Sequence, residues 1–201
     1  MVNGEDGGGR RGRRWRMAPW AIAAFLLLLP LVAMQFTDEV DWDETDFIAM
    51  GALLFGACGT YELAARMTGN NAYRAAVGVA VVAAFLLIWI NLAVGIIGSE
   101  DNPANLMYFG VLAVGIIGAF MARFQPHGMA RALVATALAQ ASVGVIALIA
   151  GLGSAGENWP QVILVLNGFF AALWLLSAWL FRKAARDRMR PAAAWVYTPP
   201  G

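Results

Sequence analysis

RAAVGVAVVAAFLLIWINLAVGIIGSEDNPANLMYFGVLAVGIIGAFMAR, residues 74–123, decides how this chain is read. Two apolar runs flank the polar insert Ser99-Glu100-Asp101-Asn102-Pro103, and an arginine closes each end. A helix needs about 20 apolar residues to cross the hydrocarbon of a bilayer. The stretch therefore predicts a membrane-spanning helical hairpin with acids at its turn and arginines at its feet.

Carried outward, the same pattern yields six spans: Ala18–Phe36, Phe47–Ala65, Tyr73–Gly98, Ala104–Ala122, Ala130–Leu152 and Gln161–Phe181. All fourteen basic residues then fall on one side. They are Arg10, Arg11, Arg13, Arg14 and Arg16; Arg66 and Arg74; Arg123 and Arg131; and Arg182, Lys183, Arg186, Arg188 and Arg190. The other side receives nine acids and no base: Asp38, Glu39, Asp41, Asp43, Glu44, Asp46, Glu100, Asp101 and Glu157. Because short loops rich in Lys and Arg stay in the cytoplasm, both termini are expected there. An odd number of spans would break the separation, unless the first is a cleaved signal peptide. Its apolar length and the lack of an A-x-A site favour a retained anchor.

Composition agrees. Of the 201 residues, 60% are hydrophobic and 13% charged, and mean hydropathy is +0.64. Soluble domains carry about 25% charged residues, so a water-soluble fold is excluded and no length remains for a separate catalytic domain. The expected fold is an all-α integral membrane protein, a bundle of six transmembrane helices over residues 18–183. A mobile basic cytoplasmic tail precedes it (1–17) and another basic cytoplasmic tail follows (184–201). Arg supplies thirteen of the fourteen basic residues. With the Ala and Gly content this suggests a GC-rich bacterial genome, and hence the bacterial inner membrane.

Internal spacing suggests three helical hairpins related by a parallel repeat about the membrane normal. An offset of 57 relates Arg66 to Arg123, Arg74 to Arg131, Glu100 to Glu157 and Pro103 to Pro160. The competing reading is that inner loops need Arg and outer turns favour Pro regardless of ancestry. The second and fourth spans also share a glycine spacing, Gly51, Gly56, Gly59 and Gly110, Gly115, Gly118, at an offset of 59. At about 100° per residue each set falls within an arc of roughly 140°. Each is read as a smooth helix-packing face, with a hinge or a lipid or cofactor groove as the alternative.

Polar residues within the spans are few. Glu62 is the only acid inside one, and Arg66 follows in the favourable i,i+4 order. The pair reads as an interfacial anchor, with proton or cation handling as the alternative. Asn91, Gln140 and Asn167 lie deep in the third, fifth and sixth spans. They read as interhelical hydrogen-bonding glue or, together with Glu62, as the lining of a polar cavity open to the acidic face.

Other patterns carry less. Gly151-Leu152-Gly153-Ser154-Ala155-Gly156 satisfies G-x-G-x-x-G but lacks the preceding strand and following helix that a dinucleotide site requires, so it reads as a helix-ending turn. Asn102 is placed to cap the helix that Pro103 opens. The two carboxylates beside them fall short of a dedicated Ca2+ or Mg2+ site. Cys58 is the single cysteine and His127 the single histidine, so a disulfide framework, a Cys-based metal cluster and bis-histidine haem held within one chain are excluded. Trp15, Trp20, Trp42, Trp159, Trp179 and Trp195 fit interfacial belts, while Trp89 and Trp174 read as core. The RKAARDRMRP tail is placed to meet anionic headgroups at the inner leaflet.

Residues 92–118, LAVGIIGSEDNPANLMYFGVLAVGIIG, resemble a group of small uncharacterised bacterial inner-membrane proteins, over about Asp46 to Gln140. The resemblance implies a six-helix inner-membrane protein and brings no activity or catalytic residue with it.

The expectation is a non-enzymatic, multi-pass accessory or assembly component of a membrane complex, without cofactor or metal. Its partners would be the bilayer, anionic lipid at the inner face, and another membrane protein or a second copy, with no nucleic acid. The rival is a small transporter or channel with a path lined by Asn91, Gln140, Asn167 and Glu62. No nucleophile and base set supports an intramembrane enzyme.

Overall fold

The computed structural model describes residues 7–37, 40–156 and 158–189, and for residues 7–16 the backbone alone. Asp38, Glu39, Glu157, Arg190 and Trp195 lie outside the described residues, as do the side chains of Arg10, Arg11, Arg13, Arg14, Trp15 and Arg16. All regular structure among the described residues is helical: α1 (Gly7–Ala33), α2 (Glu44–Met67), α3 (Asn71–Ala93), a short 3-10 turn (Pro103–Leu106), α4 (Met107–Met121), α5 (Pro126–Ile149) and α6 (Gln161–Met189). Five segments are long and apolar enough to cross a membrane: α2, α3, the 3-10 turn with α4, α5 and α6. In α1 the apolar part is the shorter Met17–Ala33.

The helix bounds differ from the expected spans in informative places. Helix α1 opens at Gly7, within the stretch read as a tail, and gives way to a turn over Met34–Phe36. Helix α6 continues through Arg182–Met189. At about 1.5 Å per residue its 29 residues measure roughly 43 Å, more than the ~30 Å of hydrocarbon. The expected third span ran to Gly98, but α3 ends at Ala93. The reason is Gly95, whose φ of +70° belongs to the left-handed region. A Cβ there would collide with the Ser99 carbonyl, so the chain turns although its apolar run continues.

By packing, the chain divides at Met67 and Thr68 into two compact units. The first holds α1 and α2. Trp20 stacks edge-on against Phe55 with ring centroids 5.2 Å apart, and the Cys58 thiol donates to the Pro19 carbonyl at 3.5 Å. The middle of α1 therefore lies against the second half of α2. Arg66 marks one end of α2, and Asp43, Glu44 and Asp46 gather at the other.

The second unit holds α3 to α6. Helix α6 packs along both α5 and α3, and α4 packs along α5, whereas α3 and α4 make only slight contact although joined in sequence. The two hairpins that the offset of 57 relates, α3–α4 and α5–α6, therefore pack differently. Small residues allow the close approaches. Ala76, Ala83 and Ala184 are fully buried, and the Ser177 hydroxyl donates across the α3–α6 seam to the Ala76 carbonyl at 2.7 Å.

Charge separates along this unit. One end joins the start of α3, the α4–α5 turn and the end of α6. There the Tyr73 hydroxyl donates to the Phe124 carbonyl at 2.9 Å, its ring meets Phe181 edge-on, and the Arg188 guanidinium lies 5.9 Å above it. The turn itself places Arg123 and Phe124 at φ of 49° and 57°, left-handed values uncommon outside glycine. Arg74, Arg123, Arg131, Arg182, Lys183, Arg186 and Arg188 all belong to this end, with Asp187 the one acid among them. Glu100 and Asp101 lie at the opposite end. Here two loops meet backbone to backbone, since a Cβ on Gly153 would lie 2.7 Å from the Gly98 nitrogen.

Candidate functional site

Three side chains on three helices of the second unit form one hydrogen-bonded chain. Gln140 of α5 donates from Nε2 to Asn167 Oδ1 at 3.0 Å. Asn167 of α6 donates from Nδ2 to the Tyr108 hydroxyl of α4 at 2.9 Å and to the Ile163 carbonyl one turn back at 2.9 Å. All three are buried: Gln140 is 0% exposed, Tyr108 1% and Asn167 6%. Gly144 makes the approach possible, because a Cβ there would lie 3.0 Å from Asn167 Cγ. Interhelical hydrogen bonds within membranes are worth about 0.6–2 kcal/mol each, so the chain ties α4, α5 and α6 at modest strength.

The sequence marks Asn91, Gln140 and Asn167 together, with Glu62, and gives no such signal for Tyr108. A tyrosine two residues into an apolar helix resembles an interfacial residue, and only the fold turns it inward.

Asn91 does not join this chain. Its Nδ2 donates to the Leu87 carbonyl of its own helix at 2.7 Å, and its buried Oδ1 has no hydrogen-bond partner. Glu62 belongs to the first unit. It accepts from Arg66 at 2.7 Å and, across to α1, from Trp20 Nε1 at 3.0 Å. The Arg66 pairing follows the i,i+4 spacing; the Trp20 contact had no local signal, since 42 residues separate the partners.

The glycines also divide. Gly115 and Gly118 face α5, where a Cβ would lie 3.2 Å from Thr136 Oγ1 and 2.7 Å from Ala132 Cβ respectively. At Gly51, Gly56, Gly59 and Gly110 an added Cβ would meet nothing within 4 Å. The packing face expected at six positions therefore has close neighbours at two.

The acidic-end loop is organised by Asn105, which the sequence reading also passed over. Its Oδ1 accepts from the Ile96 and Ile97 amides at 3.0 and 2.9 Å, and its Nδ2 donates to the Ser99 carbonyl at 2.7 Å. This folds Ile96 and Ile97 inward, to 1% and 0% exposure. Asn102 caps the 3-10 turn through Ala104 N at 3.0 Å, with Pro103 at its first position. Gly151 and Gly153 have φ of +63° and +75°, so the glycine-rich string is a turn following α5. Trp174 is buried and Trp89 half-buried, and His127 is exposed at the start of α5. Among the described residues no three His, Cys, Asp or Glu side chains gather to hold a metal ion.

Among the described residues, fold and site together define an all-helical protein of membrane type, with a hydrogen-bonded polar chain buried in the second unit. Comparison with protein-family models, with curated proteins and with solved structures finds no match to this chain.

Proposed function

We propose that this chain is a non-enzymatic, six-span protein of the bacterial inner membrane that serves as an accessory or assembly component of a larger membrane complex. The observation that carries the reading is how the second unit uses its polar groups. Gln140, Asn167 and Tyr108 are committed to one another across three helices and are withdrawn from solvent. A transport path would instead present such groups to water or to a passing solute. Glu62, the one intramembrane acid, serves Arg66 and Trp20 within the first unit.

The apolar part of α1 supplies the sixth span. Its 17 residues extend about 25 Å, a small shortfall that local thinning of the bilayer accommodates. The basic end of the second unit faces the cytoplasm and meets anionic headgroups, in keeping with the one-sided arginines. The apolar helix faces meet lipid, another membrane protein or a second copy. The resemblance read in residues 92–118 implies the same placement and assigns no chemistry.

The test is thiol accessibility in a Cys58→Ser background. Asn91→Cys, Gln140→Cys and Asn167→Cys are exposed from the acidic side to a membrane-impermeant cationic thiol reagent, the cation avoiding repulsion by nearby carboxylates. Protection at two or more of the three sites is expected. Rapid labelling at all three would replace this reading with a small transporter or channel lined by Asn91, Gln140, Asn167 and Glu62.

A further inference from the structure

The buried chain of Gln140, Asn167 and Tyr108 has a direction, and the direction leaves its two ends incomplete. Asn167 fixes it. Its Nδ2 lies 2.9 Å from the Ile163 carbonyl, which can only accept, so the nitrogen must be on that side and Oδ1 must face Gln140. Both Nδ2 hydrogens are then used, one on Ile163 and one on the Tyr108 hydroxyl. The Oδ1 in turn receives Gln140 Nε2 at 3.0 Å.

What remains is an acceptor at one end and a donor at the other. Gln140 Oε1 is buried with no hydrogen-bond partner, in a residue that is 0% exposed. Tyr108 accepts from Asn167, and among the described residues its own hydroxyl proton meets no acceptor within hydrogen-bond distance. Both groups hang from the same Asn167 amide, at 3.0 and 2.9 Å. An orphaned buried acceptor is costly in a protein interior, and natural proteins commonly complete such groups with an ordered water that has two or more polar partners.

We propose that the second unit holds one structural water that donates to Gln140 Oε1 and accepts from the Tyr108 hydroxyl, closing the chain into a ring across α4, α5 and α6. The guest must donate and accept at once and must be small, because Tyr108 and Gln140 are essentially without exposure. Water meets both requirements. A cation cannot accept from the Tyr108 hydroxyl, and an anion cannot donate to Gln140 Oε1. The site goes beyond the proposed accessory role and does not depend on it.

Water-edited solid-state NMR on the full chain in lipid bilayers, with glutamine side-chain amides labelled with 15N, tests this directly. The chain has only Gln35, Gln125, Gln140 and Gln161, and the signal lost in Gln140→Met assigns the site. Polarisation from water should reach the Gln140 amide as early as it reaches the exposed Gln125 amide. Tyr108→Phe keeps the ring and removes one anchor of the water, so build-up at Gln140 should slow severalfold while melting confirms that the variant is folded. Build-up at Gln140 no faster than in the surrounding apolar core overturns the proposal. Early build-up that Tyr108→Phe leaves unchanged overturns the bridge between the two residues.

Discussion

Asn91 and Asn167 are the same residue type in similar settings, and they do different physical work. Asn167 satisfies partners on α5 and α4, so Asn167→Leu strands the Gln140 amide and the Tyr108 hydroxyl. A buried group left without its partner costs about 1–3 kcal/mol, and the variant should melt well below wild type in detergent. Asn91→Leu removes a bond within one helix and also an acceptor that has no partner. Its melting temperature should be unchanged or higher. Equal losses for both would mean that Asn91 also bridges helices. The sequence identified both asparagines by depth in an apolar run, but depth does not distinguish them. Only the neighbouring helix decides whether an amide has a partner, and that information is non-local.

At the scale of the element, two contrasts follow from close approach. Gly118 has the Ala132 methyl 2.7 Å from where its own Cβ would lie, whereas Gly110 has open space. Gly118→Ala should therefore force α4 from α5 and cost about 1–3 kcal/mol, the usual range for overpacking. Gly110→Ala should be neutral or slightly stabilising, since Ala is the better helix former by up to about 1 kcal/mol. Thermal melting of the two variants side by side checks this, and similar losses at both would show that Gly110 also lies against a neighbour. Asn105 gives the second contrast. Asn105→Leu removes the acceptor for the Ile96 and Ile97 amides, so both should lose hydrogen-exchange protection while amides in the middle of α5 keep theirs. Protection retained at Ile96 and Ile97 would mean that packing alone holds the loop. Hydropathy revealed the helices because the bilayer imposes length and apolarity on each one separately. It hid the end of α3 because Val94, Ile96 and Ile97 are as apolar as a helix interior, and the signals that end the helix are one backbone angle at Gly95 and one side chain ten residues further on.

For the whole molecule, the decisive quantity is the sidedness of charge, and orientation is where it becomes testable. Within the second unit seven basic residues cluster at one end, and Glu100 and Asp101 lie at the other. Within the first, Arg66 and the acids near Asp43 occupy opposite ends of α2. Each unit by itself is therefore a polar object along its helix axes, and the positive-inside rule acts on loops of this length. In the proposed placement, the cost of translocating so many arginines against that bias keeps the basic end of each unit in the cytoplasm. Reporter fusions at Arg190 and Asp41 should then read cytoplasmic and external respectively. The apolar part of α1, only 17 residues long, is the helix on which this result turns. If α1 crosses, Asp41 is external and the residues before Met17 share the cytoplasm with Arg66. If α1 instead lies along the interface, the fusion at Arg190 still reads cytoplasmic, but a reporter placed before Gly7 reads external. That single reversal would reduce the proposed six spans to five, and it would be incompatible with the Trp20–Glu62 contact, because Glu62 lies one turn from Arg66 at the cytoplasmic end of α2.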